Sequence, residues 1–365
     1  MEQRKSGADA PAVSPPPREP QIFFTSPRIV TYQLRRLSNQ QLVLLDRDTN
    51  DPKYVPVYEA LLSRPGLGPQ YRKEAIEGLS TINESDRLAE LIAGIRRLDQ
   101  VDDGDISVLH ELALQLTTAS PRELIQKRTA LVQVATDAQR ALTRRAGYAA
   151  MVVAESAWDH VWATAVREDD ALVDLIGALP MIADARLRQA IYPSIKSLIQ
   201  HASNHDVRNA AIEGICHIPG HDVQRFALMA ELIQNDQGRE AAIVAIRRMG
   251  KTAWPVDQIV PLFDRLVAYA KSVPVSQRDT GIFLEAMALG YDLVEKLPEA
   301  RAIRGRKALR NMAVSVFLIK PIYHQMLYDR TRIVVEAGKR VSVVFNNDDI
   351  MPHNLVITKP VSDIR

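Results

Sequence analysis

Few residues in this chain are of types that do chemistry, and they are scattered. There is a single cysteine, Cys216, so neither an internal disulfide nor a site needing two thiolates can be built. His201 with His205, and His217 with His221, have the i, i+4 spacing that can turn two imidazoles to one helix face and hold a metal. Each pair straddles a helix end or the Pro219-Gly220 turn, which favours solvated loop histidines. His353 lies in Met351-Pro352-His353-Asn354, after the polar loop Asn346-Asn347-Asp348-Asp349. Proline on one side and a strand on the other would hold its imidazole rigidly. Asp102-Asp103-Gly104-Asp105 lacks the alternating ligands and terminal Glu of a calcium loop, and reads as a turn with Asp105 as a helix cap. Trp158, Trp162 and Trp254 fit core packing. Without a Gly-x-Ser-x-Gly elbow, a phosphate loop or a dinucleotide fingerprint, the sequence points to a carrier or scaffold and not an enzyme.

The elements that must position these residues are mostly helical. Residues 1–25, with three consecutive prolines, read as a disordered leader or linker with no signal-peptide run. Ser26-Pro27 is an N-cap followed by proline at the first helical position, and Ser38 can cap a second short helix, giving a helical segment over 26–53. Residues 54–320 keep a period near 3.6, with turns at Arg64-Pro65-Gly66, Ser120-Pro121, Pro274 and Pro298. The apolar run from Met312 to Ile319 is roughly eight residues, against roughly 20 needed to cross a bilayer, so no membrane span is expected. The net charge of +2 gives no basic face for nucleic acid.

The helical part repeats itself. Residues 72–82 (RKEAIEGLSTI) match residues 208–218 (RNAAIEGICHI), and residues 239–249 (REAAIVAIRRM) are a looser copy. Ala75, Ile76, Leu79 and Ile82 form one buried stripe, as do Ala211, Ile212, Ile215 and Ile218, while Gly78, Gly214 and Ala245 allow close helix approach. Over residues 54–318 this resembles the HEAT and armadillo-like class, which implies an α-solenoid of stacked helix pairs with a protein partner on one face. Residues 100–205 keep the periodicity without a clean copy.

Near residue 330 the period changes to two. Ile333, Val335 and Ala337 alternate, Gly338-Lys339 can turn, and Val341, Val343 and Phe345 alternate again, so a β-hairpin is expected, with a further strand over Leu355–Thr358. The succession of strand, Ala-Gly-Lys, strand ending Phe-Asn-Asn, acidic loop and Met-Pro-His-Asn is similar to the plastocyanin and azurin family of cupredoxins. That resemblance implies the opening half of a β-sandwich over 328–365, with His353 as the first ligand of a type 1 copper and Asn354 bracing the metal loop by hydrogen bonds around the thiolate. Pro352 stands where azurin-like members have glycine, a departure from the pattern that places an axial carbonyl near the metal. The family's Cys, second His and Met come later, so copper is expected only if the domain is completed beyond Arg365; helical Cys216 does not substitute.

The wider pattern resembles large exported bacterial proteins that join repeats to a cupredoxin. It implies an extracytoplasmic electron carrier working with a c-type cytochrome or another copper protein. The expected fold is thus mainly α, a HEAT-like solenoid followed by a truncated sandwich. Two alternatives are a protein-interaction scaffold and a non-catalytic arm of a larger dehydrogenase.

Overall fold

Serine, aspartate and proline set where the helices begin. Ser26 Oγ accepts from the Ile29 amide at 3.4 Å, and the boxes Ser38/Gln41 and Ser120/Glu123 each satisfy two end amides reciprocally. Asp86 and Asn204 cap in the same way, accepting from Ala89 at 2.9 Å and Asp206 at 2.8 Å. In this computed structural model the described residues are 20–101, 106–235, 238–312, 315–322, 327–330, 332–335, 337, 341–346 and 354–356. About 71% of the chain is helical, which makes the fold mainly α. It divides into two compact units, Met1–Ile218 and Pro219–Arg365.

The first unit runs α1 (Pro27–Arg36), α2 (Asn39–Val43), α3 (Val55–Ser63), α4 (Pro69–Ile82), α5 (Arg87–Asp99), α6 (Ile106–Thr117) and α7 (Pro121–Gln126). It continues through α8 (Arg128–Asp137), α9 (Ala141–Glu155), α10 (Asp159–Ala165), α11 (Asp169–Gly177), α12 (Ala185–Ala190), α13 (Tyr192–His201) and α14 (His205–Gly214). Successive helices pair, α3 with α4, α5 with α6, α8 with α9, α10 with α11 and α13 with α14. Helices α3, α5 and α8 form one row, and α6, α9, α11 and α14 a second. The core of this unit includes Leu61, Leu62, Leu79, Ile95, Leu112, Val134, Leu175 and Ile212, all nearly inaccessible. Each such aliphatic side chain contributes about 1.5–3 kcal/mol relative to exposure.

The repeated sequence has a mechanical role, because its arginine ties three helices together. Arg72, only 2% exposed, opens α4 and donates back to the carbonyls of Leu62 and Arg64 at 3.3 and 3.1 Å, satisfying the C-terminal end of α3. Its Nε reaches forward to Glu111 of α6 at 2.8 Å. Arg144 of α9 repeats the arrangement, donating to Ala138 and Gln139 behind α8 at 3.0 and 2.8 Å and forward to buried Asp174 of α11 at 2.5 Å. Arg208 of α14 likewise donates to the Ala202 carbonyl that ends α13. The Arg144 helix is the copy that letter matching misses. Gly147, Tyr148, Ala150 and Met151 stand at the positions that Ala75, Ile76, Gly78 and Leu79 hold after Arg72. A Cβ on Gly147 would lie 2.5 Å from the backbone nitrogen of Ala135, so α8 and α9 touch there.

The second unit holds α15 (Asp222–Asn235), α16 (Arg239–Arg248), α17 (Val256–Ser272), α18 (Gly281–Val294) and α19 (Glu299–Met312). Helices α15, α17 and α19 form one row and α16 with α18 the other. Arg239 continues the pattern, donating to the Ile233 carbonyl of α15 at 3.4 Å with its guanidinium 4.6 Å from the Tyr269 ring of α17.

The C-terminal segment differs from the expectation. Val341–Phe345 is a strand, β2, but its partner is β1 (Ser315–Ile319), and the pairing is parallel, from Ser315 opposite Val341 to Ile319 opposite Phe345. The expected first hairpin strand does not form: residues 332–335 are irregular, with Val334 71% exposed. Among the described residues there is this two-stranded pair and no β-sandwich, so the resemblance to the cupredoxin family does not hold. The physical reason is that a period of two assigns a segment to a strand without naming its partner. The run Val316-Phe317-Leu318-Ile319 also suits a strand, and the stretch between the two leaves room for the crossover a parallel pair requires.

Candidate interaction surface

Helices α8, α9, α11 and α14 of the first unit line two polar hollows. On α14, Asp206, Asn209 and Glu213 follow at i, i+3 and i+7, a stripe opposite buried Val207, Ala211 and Ile212, and His217 in the 3-10 turn that follows continues the lining. On α11, Asp170, Val173 and Gly177 form the facing stripe. The helices come close because α14 has glycine at 214, where a Cβ would meet the Ile176 side chain at 2.6 Å. Two hollows result. One, of about 440 Å³, lies between α11 and α14; the other, of about 610 Å³, lies between α8, α9 and α11. Arg145, Asp170 and Val173 line both, so the two hollows adjoin across a shared wall.

The electrostatics are set by what the arginines already hold. Asp174, 4% exposed, is gripped by Arg144 and also receives Arg145 Nε at 3.3 Å. Asp170, Asp206 and Glu213 are exposed and have no ion pair among the described residues. The channel mouth therefore presents uncompensated carboxylates. Tyr148, in the wall of the larger hollow, has its phenol pKa raised, first by burial and then by Asp174 and Glu168, and stays a neutral donor. A groove lined by carboxylates, an amide, a phenol and small apolar side chains can recognise a chain segment.

The residues singled out by type are placed otherwise. His353 and the Asp102–Asp105 turn lie outside the described residues. Asn354 is exposed and its backbone carbonyl accepts from the Tyr328 hydroxyl at 2.6 Å, while Tyr328 meets the Phe345 ring edge-on at 5.8 Å. Cys216 is half-buried in a 3-10 turn after α14, its Sγ donating to the Ile212 carbonyl at 3.7 Å. His201 ends α13 and His205 begins α14, both exposed; His221 is exposed with φ of 56°. Among the described residues no three His, Cys, Asp or Glu side chains gather as a metal would require. Trp158 is buried and donates to the Leu187 carbonyl at 2.7 Å, and Trp254 packs 5.5 Å from Phe226. No described helix is long and apolar enough to cross a membrane.

No protein-family model matches the chain, and no characterised protein matches it significantly. The surface must be read from its own chemistry. Sequence reasoning missed Arg145, Asp170, Asp206 and Glu213 because it looked for ligands and nucleophiles. The available signal was the polar i, i+3, i+7 stripe on a helix whose other face carries the repeated Ala-Ile-x-Gly-Ile pattern.

Proposed function

We propose that this chain is a protein-interaction scaffold, built from helix pairs of the HEAT-like kind, and that the channel over α9, α11 and α14 receives a segment of a partner protein. The observation that carries this reading is a pair of adjoining hollows rimmed by Asp170, Asp206 and Glu213, none of them paired with a cation among the described residues. Stacked helix pairs favour such a role because every repeat adds to one extended surface. The carboxylates select a partner segment bearing Lys or Arg. The copper electron-transfer reading, with its cytochrome partner and extracytoplasmic setting, rested on a β-sandwich that is absent among the described residues, and it is not carried forward. The dehydrogenase-arm alternative has no observation of its own to favour it.

The test is site-specific photocrosslinking of the full chain in cells. A photoreactive phenylalanine analogue replaces either Asn209, in the channel, or Lys196, exposed on α13. One adduct of defined mass from position 209, with none from position 196, is the expected result, and the paired change Asp206→Lys and Glu213→Lys should remove it. Equal yields from both positions, or an adduct indifferent to charge reversal, would refute the reading.

A further inference from the structure

A second groove, in the other unit, carries the opposite chemistry. Helices α17 and α19 belong to one row but do not close fully on each other, leaving a hollow of about 530 Å³. Its floor is apolar: Phe263, Val267 and Ala268 from α17, and Ala308 from α19. Phe263 reaches under α19 because residue 305 is glycine, where a Cβ would lie 2.8 Å from the ring. The rim is cationic. Lys271 stands on α17 and Arg304 on α19, both exposed, and neither has a hydrogen-bond or ion-pair partner among the described residues. Arg301 also lines the groove, but Asp264 across it holds it at 3.1 Å. The lining residues run from 263 to 271 on one helix and from 301 to 308 on the other, about 12 Å and about 10 Å at 1.5 Å per residue.

Helix α19 extends this positive field. It carries Arg301, Arg304, Arg306, Lys307 and Arg310 against one carboxylate, Glu299. Ile303 is 59% exposed among them. A duplex nucleic acid would engage the cations but could not use an apolar floor set between two helices, and a bilayer surface could not enter a slot of this size. A short peptide with apolar residues on one side and acids beside them satisfies both floor and rim.

We propose that the α17–α19 groove docks a short amphipathic acidic segment of a partner protein, its apolar side chains on Phe263, Val267 and Ala308 and its carboxylates on Lys271 and Arg304. This deepens, and rests on, the scaffold reading above, at a separate surface and with the opposite charge preference. Field strength along α19 would steer the encounter, so association should slow as salt is raised.

The probe is a fluorescein-labelled peptide of about 14 residues, Leu and Phe at helical spacing and Glu elsewhere, titrated with the full chain and followed by anisotropy. Saturable binding is expected, weakened at least tenfold by Lys271→Glu with Arg304→Glu. Ala268→Trp, which fills the slot without changing charge, should weaken it to a similar extent. The same peptide with Lys for Glu should not bind. Circular dichroism confirms folding; the substituted side chains are exposed. Equal binding of the lysine peptide, or indifference to all three substitutions, overturns the proposal. So does tighter binding of duplex DNA or phosphatidylserine vesicles that the charge reversals abolish, since either assigns the cations elsewhere. Failure here with the position-209 adduct intact would remove this groove alone, whereas loss of the adduct would remove the scaffold reading itself.

Discussion

Replacing Arg72 with alanine should destabilise the first unit far more than a surface arginine would. The substitution removes two hydrogen bonds from a buried guanidinium to the carbonyls of Leu62 and Arg64, and the ion pair to Glu111. A hydrogen bond with a charged donor contributes about 1.5–3 kcal/mol. Taking the low end for the two carbonyls gives about 3 kcal/mol. Glu111, 32% exposed, can recover water, so its share is held to under about 1 kcal/mol. The total is about 3–4 kcal/mol. The control is Arg87→Ala, which breaks the open pair with Glu77, both partners roughly half exposed, and should cost under about 1 kcal/mol. Urea unfolding followed at 222 nm reads the difference. With a slope of about 2–3 kcal/mol per molar for a unit of this size, the midpoint of the affected transition should fall by about 1–2 M. Lysine at position 72 should not rescue, since an ammonium cannot span three acceptors in fixed directions. Arg72→Ala within 0.5 kcal/mol of the control, a tolerance of about the surface-pair scale, would refute the three-helix tie.

Three further outcomes are expected. Gly147→Val should lower the melting temperature through steric separation of α8 from α9, at a cost of about 1–3 kcal/mol, because the nearest atoms are Ala135 backbone. Gly281→Ala should raise stability by about 0.4–1 kcal/mol, since its added methyl meets nothing within 4 Å; a thermal melt checks both. Burial alone would raise the Asp86 carboxyl, but Lys127 and the Ala89 amide outweigh it and hold the pKa below the usual carboxylate range. Its stabilisation is therefore full above the unfolded pKa and lost as pH falls through the lower folded value. Asp86→Asn should remove that part of the acid dependence of unfolding, and an unchanged profile would show that the Lys127 pair is not felt.

How much of this could be read in the letters depended on the kind of signal. Helix starts at Ser26 and Ser38 were legible because a cap is a local device, complete within four residues, whereas Ser120-Pro121, read as a turn, also caps a helix. The copies at Arg72, Arg208 and Arg239 were legible as a repeat, but the work of their arginine was not, since its acceptors lie on a preceding helix and, for Arg72, on a following one. The Arg144 copy stayed hidden because small and apolar volumes are kept there while the residue names change. The β segment shows the limit from the other side. Alternation at Val341, Val343 and Phe345 gave a strand correctly, whereas the partner and its direction are non-local and were misjudged. The channel proposed as a binding surface escaped because exposed carboxylates resemble any solvated helix face until a neighbouring helix makes them a rim.

The arginine tie has a consequence for how such a chain can change over time. At Arg72, Arg144 and Arg239 the tie joins one arginine near the start of a helix, carbonyls at the end of the helix before, and an acid or aromatic ring on a helix beyond. These parts travel together when a helix pair is duplicated, so a new pair brings its own fastening and presents the same socket to the next. Lengthening by duplication then needs no redesign of the interior, and the copies can drift in letter as long as the arginine and the sizes around it persist. The Arg144 helix is what such drift looks like.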